Sequence, residues 1–326
     1  MPAVGVLITG FGGPDCPEAV GPFMCNLTGR EPSAEIVERV TRRYEAIGGC
    51  SPLVRIAGEL GDAVRAALAR HGHDVVVEVG MRYWAPFVAD AVDRLAAAGC
   101  DRIVVVPLSP FESAVTHGQY RAAVDAALET HPGITASEAP LLSELPAFVA
   151  LHARAARIAS EALDDPGCPI VFSAHSLPRA DVVADDPYVR GLERCADEVA
   201  AILGLEHGAR RAGLFGADEA YGCASGRRPW VVAYQSRGLR GGEWLNPDVD
   251  DVIDAIEAAG HSGVVVVPLG FATDHLETLY DLDIVTAGRA RAVGLAFERS
   301  AAPNADPQLA AELAAAIVAI IAADRT

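Results

Sequence analysis

Short runs of consecutive apolar residues, rich in Val, Ile and Leu, recur along the chain, separated by longer stretches in which apolar positions return every three or four residues. Continuous runs of this kind suit strands buried on both faces of a parallel sheet, and the intervening 3.6-residue period suits helices that cover it. The strand-like runs fall in 4–13, 75–86, 103–108, 168–177, 230–239 and 264–269. Helices are predicted over 35–47, 55–70, 87–99, 118–130, 188–203 and about 307–323. The fifth of these places Val189, Leu192, Ala196, Val199 and Leu203 on one stripe and so faces a core. Residues 208–229, rich in Gly, Arg and Ala with few apolar runs, predict a long loop.

The runs also repeat at a distance. IVVVPL (103–108) returns as VVVVPL (264–269), VGVLITGFGG (4–13) as CPIVFSAHSL (168–177), and VVVEVGMRYWAP (75–86) as WVVAYQSRGL (230–239). The pairing predicts two similar doubly wound α/β domains, 1–145 and 146–326. Their boundary lies in the segment punctuated by Pro132, Pro140 and Pro146, and the C-terminal helix packs back on the first half. Ligands of such sheets bind outside the carboxyl ends of the strands, so the loops after the runs are expected to carry function around a shared cleft.

Composition narrows the partners. The chain has 326 residues, 51% hydrophobic, which is room for two cores. All 26 basic residues are arginine, and 44 acidic residues leave a net charge of −18, which argues against nucleic acid and anionic membrane surfaces. The late apolar run 313–323 is too short to span a bilayer and the apolar start lacks a basic lead, so a soluble, cytoplasmic protein is expected. Seven cysteines at 16, 25, 50, 100, 168, 195 and 223 show no CxxC spacing, and scattered reduced thiols are expected.

Two segments carry candidate chemistry. FSAHSLP (172–178) sets His175 just past a buried strand, and GFATDHLETLYDLD (270–283) sets Glu277 in an acidic helix start after another strand. The repeat lets both side chains point into one pocket, a base beside a carboxylate, although each also has an ordinary reading. A strand-end histidine is often structural, and Asp274 with Glu277 has capping-box spacing. His275 is either a supporting neighbour or an exposed first residue of that helix. Gly10, Gly12 and Gly13 hint at a phosphate loop, but Pro14 and Asp15 break the GxGxxG fingerprint and with it a nicotinamide dehydrogenase reading.

FSAHSLP, YEAIGGCSPL (44–53), MRYWAP (81–86), YQSRGLRGGEWLNPDVDDVI (234–253) and VVVVPLGFATDHLETLYDLD (264–283), in that family's order, resemble the ferrochelatase family from about residue 4 to about residue 320. The resemblance implies two Rossmann-like, chelatase-type domains and insertion of ferrous iron into a porphyrin. It makes His175 and Glu277 the metal-binding and proton-accepting pair. It further implies porphyrin contacts from Arg43, Tyr44 and Ser51, with Arg43 on a propionate, and a place for Asp281 on a metal or proton path. Residues 15–30, with Phe23 and Met24, correspond to a lip over the cleft.

Phe11 stands where several bacterial relatives carry a tyrosine able to ligate product iron. Phe111 and Leu141–Leu142 also depart from polar or aromatic positions of the family. The expected substrate is coproporphyrin III, with protoporphyrin IX second and a non-catalytic tetrapyrrole or metal carrier as the rival from another class. No cofactor is expected beyond substrate iron. An iron–sulfur cluster on C-terminal cysteines is not expected, because no cysteine follows Cys223. A monomer without integral membrane association is expected, handing its product to a coproheme-processing enzyme.

Overall fold

Val6, Leu7 and Ile8 are fully buried in the first strand, β1 (Ala3–Gly10), because a sheet strand covered on both faces has no polar side to spare. The computed structural model describes residues 3–163, 165, 167–207, 228–238 and 241–323. The loop expected over 208–229 lies almost wholly outside them. The described chain clusters into two compact units, one of Met1–Ala147, Ala272–Leu276 and Pro303–Thr326, the other of Phe148–Phe271 and Glu277–Ala302.

In the first unit, β1 lies between β2 (Val76–Met81) and β3 (Cys100–Pro107), and β4 (Thr135–Glu138) follows at the β3 edge. All pairings are parallel, with Val6 opposite both Val77 and Val104. The unit's helices are α1 (Val20–Thr28), α2 (Ala34–Ala46), α3 (Leu53–Arg70), α4 (Val88–Ala97) and α5 (His117–Leu128). Leu7, Ile103 and Val105 pack with Val88, Val92 and Leu95 of α4 and Val124 of α5. On the other side of the sheet α3 comes close at Gly61, where an added Cβ would lie 3.4 Å from Val77 and 3.5 Å from Ile8.

The second unit begins within α6 (Pro146–Ala162) and holds β5 (Ile170–His175), α7 (Pro187–Leu203), β6 (Glu206–His207), β7 (Pro229–Gln235), α8 (Val249–Ala258) and β8 (Gly263–Val267). After β8 come a ten-residue π-helix (Glu277–Thr286), α9 (Ala287–Ala292) and β9 (Ala296–Arg299). The sheet order is β6-β7-β5-β8-β9, all parallel. Val171, Val231, Val264 and Val266 share a core with Val252, Ile253 and Ile256 of α8 and Leu282 of the π-helix. The last helix, α10 (Pro307–Ala323), buries Leu309, Leu313, Ile317 and Ile321 and packs on α3 of the first unit.

The structure corrects the expected elements in three places. The runs at 4–13, 75–86, 168–177 and 230–239 end as strands at Gly10, Met81, His175 and Gln235, and their polar remainders form the loops. β4, read TASE, carries no apolar run because it is a half-exposed edge, and β9 is another short edge strand. The acidic segment from Glu277 winds as a π-helix instead of an ordinary α-helical start, and Asp274 is bound instead by Asn304, whose Nδ2 donates to its carboxylate at 2.8 Å.

Gly270 turns the chain after β8 back against β5. Its N–H donates to the Ser173 carbonyl at 2.9 Å, and an added Cβ would lie 2.6 Å from the Ala174 Cα. Gly270→Ala should therefore destabilise the protein by about 1–3 kcal/mol through overpacking. Gly288→Ala, with nothing within 4 Å of its added Cβ, serves as the control and should leave the thermal midpoint unchanged or raised. Differential scanning fluorimetry of the two variants checks this, and an unchanged midpoint for Gly270→Ala would remove the steric account.

Candidate functional site

β5 delivers His175 at its carboxyl end, in register with Gln235 at the end of β7. Three hydrogen bonds fix the turn that follows. Ser176 N–H donates to the Gln235 carbonyl at 2.8 Å, Ser176 Oγ donates to the Leu245 carbonyl at 3.1 Å, and the Tyr188 hydroxyl donates to the His175 carbonyl at 2.8 Å. The imidazole Nδ1 then donates to the Ser176 carbonyl at 2.5 Å, which leaves Nε2 facing the Glu277 carboxylate, 3.3 Å from Oε1. Both side chains keep about a third of their surface exposed, 35% and 30%, so the pair is held in place and still reachable.

Charge defines the pair. Burial works against the imidazolium, yet the Glu277 carboxylate, its hydrogen bond, the Ser176 carbonyl and the charge of Asp281 together hold the His175 pKa up, at about 9. At neutral pH the histidine is therefore cationic beside an anion. A neutral imidazole nitrogen and a carboxylate oxygen are both donors that divalent first-row metals accept. Among the described residues no group of three or more His, Cys, Asp and Glu is arranged to hold a metal ion, so the pair offers two protein donors and no closed cage.

The π-helix that carries Glu277 is tied down at several points. Gln235, buried, donates from Nε2 to the Glu277 carbonyl at 2.8 Å. Ser236, with φ at +59°, turns its hydroxyl to Asp281 Oδ2 at 2.5 Å. Arg299 at the end of β9 grips both oxygens of Asp283, at 2.5 and 2.9 Å. Thr286 Oγ1 reaches Asp250 on α8 at 3.4 Å. Wide π turns recur at functional positions because they re-aim side chains that an α-helix would place elsewhere. Gln235, Ser236, Tyr188 and Arg299 were missed from sequence as supports. The YQSRG segment stood out as a motif, but nothing in it says that its Gln and Ser reach a helix more than forty positions later.

The remaining sequence candidates divide between the units. Asp281 joins His175 and Glu277 in the second unit through Ser236. Phe11, Arg43, Tyr44 and Ser51 belong to the first unit. Phe11, in the loop after β1, packs its ring 4.7 Å from that of Tyr83 and 6.2 Å from that of Phe23. Phe23 is buried and also meets Trp84 edge-on at 6.3 Å, and Met24 is half-buried. Tyr44 is buried and Arg43 half-buried at the end of α2. Ser51 lies against Gly13, with its N–H donating to the Pro14 carbonyl at 2.8 Å. Phe111 and Leu142 are core residues. No helix among the described residues is long and apolar enough to cross a membrane.

Comparison with known proteins gives a consistent picture. The family model described as Ferrochelatase matches residues 3–320. The chain is 32% identical to the ferrochelatase of Gloeobacter violaceus, over 98% of each chain. It is 36% identical to the coproporphyrin III ferrochelatase of Frankia alni, over 94% of this chain and 77% of that one. Among solved structures, CbiX, described as the terminal enzyme for siroheme biosynthesis in denitrifying bacteria, superposes with a TM-score of 0.56 at 17% identity, covering 97% of this chain and 98% of that one. SirB from Bacillus subtilis, described with Fe3+, gives 0.52 at 12% identity, with 97% and 94% covered. These two likenesses bear on the fold.

The pair also sets a pH signature. A histidine whose folded pKa stands above the ordinary value of about 6.5 adds stability in full below that value and loses it as pH rises through about 9. Glu277→Gln should bring the His175 titration, followed by the NMR shift of its ring proton, well below about 9 and flatten the loss of thermal stability across that interval. A His175 titration near 6.5 in the unmodified protein would overturn the assignment.

Proposed function

Because the chain belongs to the ferrochelatase family, we propose that it inserts ferrous iron into coproporphyrin III, with His175 and Glu277 as the residues that take the metal and the displaced protons. The reading is carried by one observation, the 3.3 Å approach of His175 Nε2 to Glu277 Oε1 at a strand end where both remain reachable. Metal insertion expels two pyrrole protons, so the reaction needs a proton acceptor beside the point of entry and ligands that let the metal go. An imidazole and a carboxylate supply both functions with the same atoms.

The electrostatics order the steps. While Glu277 is a bare anion, its charge keeps His175 protonated. A ferrous ion arriving at Glu277 offsets that charge, lowers the affinity of His175 for its proton and frees Nε2 to ligate the ion or accept a pyrrole proton. Asp281, held by Ser236 one turn further along the π-helix, adds a second carboxylate on the same face and suits an approach path for the ion or an exit for protons. Arg43 would pair with a propionate, with Tyr44 and Ser51 beside it and Phe11 presenting an apolar ring in place of an iron ligand.

The choice of coproporphyrin III is supported by the name of the Frankia alni relative, and relatives named simply ferrochelatase keep protoporphyrin IX as the alternative. The test is anaerobic turnover with ferrous iron, following loss of metal-free porphyrin absorbance for the two porphyrins side by side. Coproporphyrin III should react faster, and a protoporphyrin IX preference would reverse the assignment. Stoichiometric binding without insertion would make the protein a carrier. His175→Ala should lower turnover by about 100-fold or more while porphyrin still binds, and near-normal turnover would remove His175 from the chemistry.

A further inference from the structure

Two cysteines that the proposed chemistry does not use are brought to one crossing of the first unit. Cys16 lies in the loop after β1, in extended backbone with φ −157° and ψ 162°, and Cys50 lies in the connection from α2 to α3. The two segments run alongside each other in opposite directions. Ser51 N–H donates to the Pro14 carbonyl at 2.8 Å, and Gly49 sits against the Pro17 ring, where an added Cβ would be 3.6 Å from Pro17 Cγ. Gly13 meets Ser51 so closely that an added Cβ would be 2.5 Å from the Ser51 Cβ.

These contacts bracket the thiols. Cys50 is the residue between Gly49 and Ser51, while Cys16 and Asp15 lie between Pro14 and Pro17. Asp15 is engaged elsewhere, accepting from Trp84 Nε1 at 3.3 Å. Cys16 and Cys50 therefore lie on two segments that touch on either side of both residues, close enough for their thiols to be candidates for one disulfide, which needs Cα atoms within about 7 Å. Both are open to solvent, Cys50 exposed and Cys16 half-buried. Cys100, Cys168 and Cys195 are buried, and burial pushes their thiols up, that of Cys195 to about 12.

We propose that Cys16 and Cys50 are a redox modification site, joined in a reversible disulfide by exchange with a small-molecule disulfide. One thiolate attacks the oxidant and releases one of its thiols. The second cysteine then displaces the other thiol, so that one disulfide is reduced as the Cys16–Cys50 bond forms and two protons leave with the departing thiols. The bond closes a loop containing α1 and α2 and fastens the segment after β1 to the start of α3. Either cysteine alone gains nothing from the arrangement, because exchange stops at the mixed disulfide.

The experiment treats the full-length native protein with oxidised glutathione, alkylates the remaining thiols and maps the peptides by mass spectrometry. The expected result is the loss of two titratable thiols, a peptide linking Cys16 to Cys50, and full reversal by dithiothreitol. Cys16→Ser and Cys50→Ser should each abolish the link, and Cys25→Ser, on half-buried Cys25 of α1, should leave it intact. A glutathione adduct on Cys50 alone, a link through Cys25 or Cys223, or unreacted thiols would overturn the proposal. Because Ser51 lies in the crossing, the proposed function adds that the oxidised form inserts iron more slowly. A link formed without change in turnover counts against that placement of Ser51 and leaves the disulfide standing.

Discussion

A cationic imidazole held against a carboxylate at the end of a buried strand is the constraint on which the second unit's architecture depends. Burial works against the proton on His175, and the Glu277 carboxylate, with smaller help from the Ser176 carbonyl and the charge of Asp281, more than offsets it. Such compensation requires fixed geometry, because a charge that swings away restores the burial penalty. The fixing comes from both sides of the pair. β5, paired with both β7 and β8, sets His175, while Gln235, Ser236 and Arg299, at the ends of β7 and β9, hold the π-helix. The strand ends of the sheet thus converge on one short stretch of helix.

The same constraint explains why backbone departures collect here. Ser236 takes a left-handed conformation that a serine seldom adopts, and its hydroxyl thereby reaches Asp281. Gly270 allows the turn after β8 to close on β5 without a Cβ. The π-helix spends extra residues per turn in a stretch carrying Glu277, Asp281 and Asp283. Each local choice is unfavourable in isolation, and each serves the placement of a charged group.

What could be read from the chain was the part governed by periodicity. The buried strands β1, β3, β5, β7 and β8 announce themselves as continuous apolar runs because both faces are covered, and amphipathic α4 and α7 as stripes. The edge strands β4 and β9 did not, since a half-exposed edge has no such run. That His175, at a strand end, and Glu277, in the acidic segment after β8, come together was legible, and the family resemblance implies their roles. Their supports were not legible. The bond from Ser236 to Asp281 spans 45 positions, and that from Gln235 to Glu277 spans 42, and neither leaves a local pattern. The π-helix was hidden for a different reason: one turn of acidic residues is also how an α-helix begins, and only tertiary packing selects the wider winding.

The strength of the pair bears on how a metal could pass through it. A site meant to keep its ion would close a shell of four or more donors, whereas on the proposed reading His175 and Glu277 would contribute two, and among the described residues no larger cluster of such donors is arranged around a metal. On that reading, metal binding would break an existing ion pair, which costs affinity, and release of the metal would restore it, which favours departure. Under the proposed reaction the cost is incurred when iron enters and returned when iron moves to the macrocycle, so the protein gains little by retaining it. A tighter cage would bind ferrous iron better and transfer it worse. If His175 and Glu277 take the metal as proposed, a two-donor, charge-compensated pair is the arrangement expected of a chain that passes an ion onward.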